Sequence, residues 1–210
     1  MSAQITNRIR EGILAGRYPP GSALLQDAIA ADFGVSKIPV REALLQLRAE
    51  GLVNVFAHRG FQVTPLSAGE IEEVSQIRLQ IEPGAVAAGA RKAEPADRAA
   101  AKAALAALNY ALAADRLDEA GELNCTFHLA LIVPHVQPVT AEVMSRLHNL
   151  SRRYVRAHLA SAGRAKRATR EHTAIYRAWE AGQSAEASRL THAHIEETRQ
   201  ELNEALASVS

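Results

Sequence analysis

The chain has 210 residues, of which 48% are hydrophobic, and a formal net charge of +1. This length and apolar content suit a globular protein of one or two domains. Its apolar runs fall far short of the ~20 residues of a membrane span, and the single Cys125 has no partner for an internal disulfide. We therefore expect no membrane association and a cytoplasmic location. Because the total charge is near zero, any nucleic-acid surface must come from local placement of cations.

The first 66 residues combine helix and strand signals. An isoleucine at every fourth position predicts a first helix that ends near Gly16. A second apolar-periodic segment over 24–33 ends at Gly34, a residue suited to a left-handed helix stop. The third helix starts after the next serine, and "LVNVF" (52–56) with "GFQVT" (60–64) has the pattern of a β-hairpin. These signals predict three short helices followed by a hairpin.

The third helix has the features of a helix that binds DNA. Ser36 is a suitable N-cap whose hydroxyl can accept a first-turn amide, and Pro39 lies in the first turn, where its missing N–H costs nothing. At about 100° per residue, Lys37, Arg41 and Arg48 lie within roughly 40° of one another, beside the apolar stripe. For this helix alone, a merely solvated cationic face is the favoured interpretation. A recognition helix in the major groove is the alternative.

The hairpin that follows this helix favours the recognition-helix interpretation over a merely solvated face. Its tip, His58-Arg59-Gly60, is basic and directly follows the helix-turn-helix, as in a winged helix. The stretch "PPGSALLQDAIAADFGVSKIPVREALLQLRAEGLVNVFAHRGFQV" resembles the DNA-binding domain of the GntR superfamily of bacterial transcription regulators over about residues 5–65. The resemblance implies DNA contacts from the helix and from the wing. The residues assigned to DNA binding are Ser36, Lys37, Pro39, Arg41, Arg48, His58, Arg59 and Gly60.

Two positions depart from this family pattern. Lys37 stands where arginine is common, and a lysine does not make the planar bidentate contact to guanine, so we expect relaxed specificity at that base. Leu25 stands near the usual position of a capping serine or asparagine, which puts the start of the second helix in doubt.

From Ser67 onward the pattern is helical throughout. "SAGE" (67–70) has the Ser-x-x-Glu form of a capping box. The sequence therefore predicts a mainly α fold, with an N-terminal winged helix-turn-helix domain (1–66) followed by an all-helical antiparallel bundle (67–210). The helices are expected at roughly 68–91, 95–114, 116–133, 138–160, 165–181 and 184–207.

Four residues of the helical region form a candidate metal site. Asn124 and His128 lie one turn apart on a helix, and His172 and His194 lie on two later helices. Imidazole nitrogens with an oxygen donor suit zinc, nickel or another late divalent ion. By spacing alone this signal is weak, since a helical histidine is more often a surface or packed residue. Three other histidines, at 135, 148 and 158, are interpreted as ordinary residues.

The helical region also resembles the FCD ligand-binding domain of the FadR-type subgroup, most clearly in "EHTAIYRAWEAGQSAEASRLTHAHI" (171–195). The resemblance implies a metal site at the four residues just named. Asn124 replaces the aspartate of that pattern, so we expect weaker metal retention and a greater need for an anionic effector. Arg78 and Glu82 are spaced as a helix-surface ion pair. In the resembling family, the arginine instead points into the effector cavity, which makes Arg78 a candidate effector-binding residue.

These features predict a ligand-responsive transcription regulator. One winged helix covers only a few base pairs, so a homodimer on an inverted-repeat operator in double-stranded DNA is expected. The resemblance implies a small carboxylate-type metabolite as effector and repression as the commoner output. One alternative is a metal-dependent enzyme that uses the histidines, although no "HExxH"-type motif or evident general base accompanies them. Another is a constitutive DNA-binding dimer without an effector.

Overall fold

A computed structural model of the chain describes residues 2–56, 60–159 and 163–207. These residues divide into two compact units, Met1–Leu66 and Ser67–Ser210. Within the described ranges, no helix combines the length and apolar character that crossing a bilayer would require. The predicted fold class, a winged helix-turn-helix followed by a mainly helical region, is confirmed.

The first unit contains short helices around a small sheet. Its elements are α1 (Ser2–Leu14), β1 (Ala23–Leu24), α2 (Gln26–Phe33), α3 (Lys37–Ala49), β2 (Val53–Phe56) and β3 (Gly60–Val63). The strands form an antiparallel sheet in the order β1-β3-β2. Ile9 of α1 and the stripe Val40, Leu44 and Leu47 of α3 are fully buried. This spacing of i, i+4 and i+7 places one face of α3 in the core and leaves the opposite face to solvent.

Two details of this unit differ from the expectation. The hairpin is joined by β1, whose Leu24 pairs with Phe61 of β3. A strand of two residues is too short to show a periodic signal. Helix α2 starts at Gln26 although its N-cap, Leu25, offers no side-chain hydrogen bond. Its C-terminus is well formed, because Gly34 at φ 64° donates its N–H to the last carbonyls of the helix.

The second unit is a bundle of longer helices. They are α4 (Ala68–Lys92), α5 (Pro95–Ala113), α6 (Leu117–Ile132), α7 (Pro138–Leu159), α8 (Arg164–Glu180) and α9 (Ser184–Ala207), with a short 3₁₀ turn at Val133–His135. The predicted boundaries are confirmed to within one residue. The hydroxyl of Ser67 accepts the N–H of Glu70 at 3.3 Å, which is one half of the predicted capping box. The Glu70 carboxylate instead binds Tyr154 of α7.

Close packing of α4 on α6 brings the polar residues of the two helices together. Val86 of α4 and Phe127 and Leu131 of α6 are fully buried, as is Trp179 of α8. The indole N–H of Trp179 donates to the carbonyl of Leu131 at 3.2 Å. Gly89 lies at this junction, where the absence of a side chain allows the helix backbones to approach.

Candidate DNA interface and metal centre

Helix α3 presents an exposed cationic face. Lys37, Arg41 and Arg48 are all exposed, on the face of α3 beside its buried stripe. Helix α2, the left-handed turn at Gly34 and α3 form the predicted helix-turn-helix. A recognition helix of this type lies in the major groove with its N-terminal residues against base edges, while its cations reach phosphates or guanine. Lys37 and Arg41 lie in that N-terminal half, and Arg48 lies in the last turn.

Ser36 and Pro39 have the predicted positions at the start of α3. Ser36 is the N-cap, with φ −75° and ψ 166°, and Pro39 lies in the first turn. The expected side-chain cap is wrong: the Ser36 hydroxyl accepts no cap hydrogen bond within the described part of the chain. The hydroxyl is exposed and is therefore available to a ligand outside the protein.

An acidic residue of α2 lies against this face. Asp27 Oδ1 is 2.5 Å from Lys37 Nζ, and both side chains are largely exposed. Sequence reasoning did not pair these residues, because the contact depends on how α2 and α3 cross. An exposed pair of this kind adds little to stability. It does reduce the positive charge at the start of the cationic face.

A large apolar side chain, Ile38, also lies at the exposed start of α3. It is 71% exposed between Lys37 and Pro39. Apolar side chains at such positions can contact the thymine methyl group in the major groove. The exposure of Ile38 could have been predicted from the sequence, since this residue lies outside the apolar stripe of α3.

The wing is formed by β2 and β3, which pair from Val53 with Val63 to Phe56 with Gly60. Gly60 has φ +75°, a conformation that favours glycine, so its predicted place at the turn has a backbone reason. The other two predicted wing residues, His58 and Arg59, lie outside the described residues.

The helical unit brings three of the predicted metal ligands together. His128 of α6, His172 of α8 and His194 of α9 offer ligand atoms within 4.8 Å of one another. We call this group the histidine triad. The Nε2 atoms of His172 and His194 are 3.3 Å apart, and the rings of all three residues lie 4.7 to 5.3 Å apart. Asn124, the fourth predicted ligand, lines the same cavity as His172 and His194.

Burial favours the neutral form of two triad members, His128 and His172. Loss of solvation lowers the pKa of His128 to about 3 and holds the pKa of His172 well below its ordinary value, with further lowering from neighbouring histidines. A neutral imidazole has a free lone pair, which is the form that binds a metal. Nε2 of His128 has no hydrogen-bond partner within the described residues, although it is buried. A buried, unpaired nitrogen beside two other imidazoles fits a bound cation.

Carboxylates lie on the opposite ring nitrogens of two triad members. Glu82 Oε1 is 3.1 Å from Nδ1 of His128, and Glu171 Oε2 is 2.6 Å from Nδ1 of His194. Metal-binding histidines commonly donate their second ring N–H to a carboxylate in this way. At His194 this contact has hydrogen-bond geometry, so it fixes the tautomer and leaves the Nε2 lone pair for the metal. At His128 the Glu82 oxygen lies at ion-pair distance only. Sequence reasoning assigned no role in metal binding to either glutamate.

Arg78 and Glu82 form a buried pair, so the surface interpretation is wrong. Arg78 is 8% exposed and Glu82 is 0% exposed, with Arg78 Nε 2.7 Å from Glu82 Oε2. His148 is buried beside this pair, and its Nε2 lies 3.2 Å from the same Glu82 oxygen. The prediction that His148 is an ordinary residue is therefore wrong. Burial alone would raise the pKa of Glu82, but Arg78 and His148 hold this pKa well below its usual range. The second guanidinium edge of Arg78 reaches Ser151 at 3.3 Å.

A cavity of about 40 Å³ adjoins the triad. By volume it has room for roughly three water molecules. Arg78 lines it, as the effector hypothesis requires, together with Arg167, Glu171 and His158. His158, interpreted from sequence as ordinary, is buried, and loss of solvation lowers its pKa to about 4.

These two units define a winged helix-turn-helix protein that carries an all-helical domain. The family model for bacterial regulatory proteins of the gntR family matches residues 1–63, and the FCD domain model matches residues 73–197. The chain therefore belongs to the gntR family and contains an FCD domain.

Curated relatives are transcription regulators. The HTH-type transcriptional regulator McbR of Escherichia coli K12 is 27% identical over 147 residues, which cover 70% of this chain and 66% of McbR. The transcriptional repressor RspR of the same organism is 28% identical over 131 residues, 62% of this chain and 58% of RspR. An uncharacterized regulator of Bacillus subtilis, YdhC, is 35% identical over 83 residues, 40% of this chain and 37% of YdhC. The aligned segments thus span less than two thirds of each relative.

Solved structures show the same fold over nearly the whole chain. E. coli McbR/YncC has a TM-score of 0.82 at 22% identity and covers 98% of both chains. A putative GntR regulator from Rhodococcus sp. RHA1 has a TM-score of 0.82 at 24% identity and covers 96% of both. At these identities the two likenesses show the shared fold.

Proposed function

We propose that the chain is a DNA-binding transcription regulator whose helical domain binds a divalent metal ion and a small carboxylate. The observation that carries the DNA-binding part is the cationic face of Lys37, Arg41 and Arg48 on the exposed side of α3. Membership of the gntR family supports it. Repression is the proposed output, by analogy with the relative RspR.

The proposed target is an inverted-repeat operator bound by a homodimer. A single α3 reads only a few base pairs, and a symmetric dimer doubles the contacts while matching the symmetry of the DNA. Selection from a random DNA library should therefore yield two similar half-sites in opposite orientation. Their centres should be about 10 base pairs, or a multiple, apart. Sequencing of the selected DNA tests this, and enrichment of a single unrepeated site would contradict it.

The histidine triad with Asn124 supports the proposed metal site. Three neutral imidazoles and an amide oxygen are a donor set that suits zinc or nickel. A bound ion would supply positive charge at the cavity and so favour an anionic ligand there. The chain's own residues would hold that ligand: Arg78 and Arg167 both line the cavity and can bind a carboxylate. The small cavity favours an acid of few carbon atoms.

Replacing His172 by alanine should abolish the response to metal. In the wild type, zinc or nickel at about 100 times its dissociation constant adds roughly 2.7 kcal/mol of stability, or a rise of about 5–10 °C in Tm. The variant lacks one triad imidazole, so its Tm should stay constant on adding metal. Thermal unfolding with and without added metal, together with elemental analysis, measures both.

The matched control is His192→Ala. His192 is exposed on α9, two residues from His194, and should respond to metal as the wild type does. An equal metal response in His172→Ala and the wild type would contradict the proposed metal site. A panel of small acids, added with metal, then tests the effector: the proposal expects at least one acid to change affinity for the operator. Unchanged DNA binding throughout would favour the constitutive dimer.

A further inference from the structure

The proposed metal ligands carry no negative charge of their own. His128, His172 and His194 are neutral when they bind a metal, and Asn124 contributes a neutral amide. A divalent ion in a buried site is costly unless a nearby negative charge compensates it. When no acid is bound, the charge must therefore come from residues outside the direct ligands. The two carboxylates that contact triad histidines, Glu82 and Glu171, are the candidates.

Glu82 is already compensated. Its carboxylate accepts from the Arg78 guanidinium at 2.7 Å and 3.3 Å, so the buried pair has no net charge. His148 adds a further contact at 3.2 Å. Glu82 can therefore orient His128, but it contributes little net negative charge to an ion at the triad.

Glu171 belongs to a group with excess negative charge. Arg167 contacts three carboxylates, those of Glu171 at 3.0 Å, Glu197 at 3.2 Å and Glu201. Arg164 also contacts Glu201. Among the described side chains, three carboxylates thus share two guanidiniums, one carboxylate more than these guanidiniums balance. Only Glu171 of the three reaches a triad histidine, through its 2.6 Å contact with Nδ1 of His194.

We propose that Glu171, acting through His194, supplies the charge compensation that Asn124 does not give to the metal site. The deduction rests on the proposed metal site. Glu171 is a positioning residue: its carboxylate accepts the Nδ1–H of His194, directs the Nε2 lone pair toward the other triad histidines, and makes the imidazole a stronger donor.

The test measures zinc affinity of the full chain after metal removal, by competition with a chromogenic chelator. Glu171→Gln keeps the shape of the side chain and removes its charge, and should weaken zinc binding by about 10- to 100-fold. Glu186→Gln is the matched control, because it removes a carboxylate from α9, the helix of His194, that pairs with Arg189 and lies outside the Arg167 group. Its zinc affinity should equal that of the wild type. Circular dichroism and the Tm of the metal-free proteins check that each variant folds.

A second substitution tests the compensation directly. Asn124→Asp places a carboxylate among the proposed ligands, so Asn124→Asp combined with Glu171→Gln should recover affinity close to the wild-type value. Wild-type affinity in Glu171→Gln, or a double variant as weak as Glu171→Gln alone, would overturn the role of Glu171 while leaving the metal site intact. Absence of zinc binding in both the wild type and Asn124→Asp would overturn the metal site itself.

Discussion

Arg41→Ala should weaken binding to the operator by roughly 5- to 150-fold for each half-site, the equivalent of about 1–3 kcal/mol for a lost base contact. Arg41 is exposed in the N-terminal half of α3, one turn after Lys37, where a recognition helix meets base edges. Its loss should also relax sequence preference at one position of the half-site. Fluorescence anisotropy with the selected operator and with single-base variants measures both effects.

The dependence of DNA affinity on salt concentration distinguishes contacts to bases from contacts to the phosphate backbone. Arg48 lies in the last turn of α3, so Arg48→Ala should weaken all DNA sequences alike and lower the slope of log affinity against log salt by about 0.9. Arg177→Ala removes an exposed arginine from α8 of the other unit and serves as the control, with no expected change. Wild-type operator affinity in Arg41→Ala would contradict the assignment of α3 as the recognition helix.

The exposed cationic face of α3 was predictable because local rules determine it. The stripe of Val40, Leu44 and Leu47 identifies the buried face, which leaves Lys37 and Arg41 on the exposed side without knowledge of tertiary contacts. The side-chain hydrogen bond at the Ser36 cap was harder to predict. Residue type gives the position of a cap, but whether the hydroxyl bonds an amide depends on a side-chain rotamer that the sequence does not specify.

The proposed metal site was predictable only in part. The resemblance to the FCD domain supplied His128, His172 and His194, which the structure gathers in one place. The partners Glu82 and Glu171 were missed in this role because their contacts cross between helices and depend on the packing of the bundle.

The burial of Arg78 was also not evident from sequence. A spacing of i, i+4 gives the same ion pair on a buried face as on an exposed one. Only the packing of α7, whose Ser151 and His148 cover the pair, removes it from solvent. The sequence therefore predicts that the pair forms, and the tertiary structure decides what it can do.

The close packing of α4 against α6 predicts a large loss of stability when Gly89 is replaced. A Cβ there would overlap the carbonyl oxygen of Leu131 on α6 and lie 2.7 Å from Nε1 of Trp179. Neither group is the flexible end of a side chain, so α4 and α6 must separate. Gly89→Ala should lower the free energy of unfolding by about 3 kcal/mol, which corresponds to a fall of roughly 6–12 °C in Tm. Thermal or urea unfolding measures the change.

Gly84→Ala is the matched control, since it makes the same substitution five residues earlier in the same helix. Gly84 is exposed, and a Cβ there meets no atom of the described structure within 4 Å. Alanine is the better helix former by about 0.8–1 kcal/mol, so this variant should be slightly more stable than the wild type. Because α4 carries Glu82 and α6 carries His128, the damage in Gly89→Ala should extend to metal binding, whereas Gly84→Ala should bind metal normally. Equal stability of the two variants would show that the close approach of α4 and α6 does not hold the metal site together.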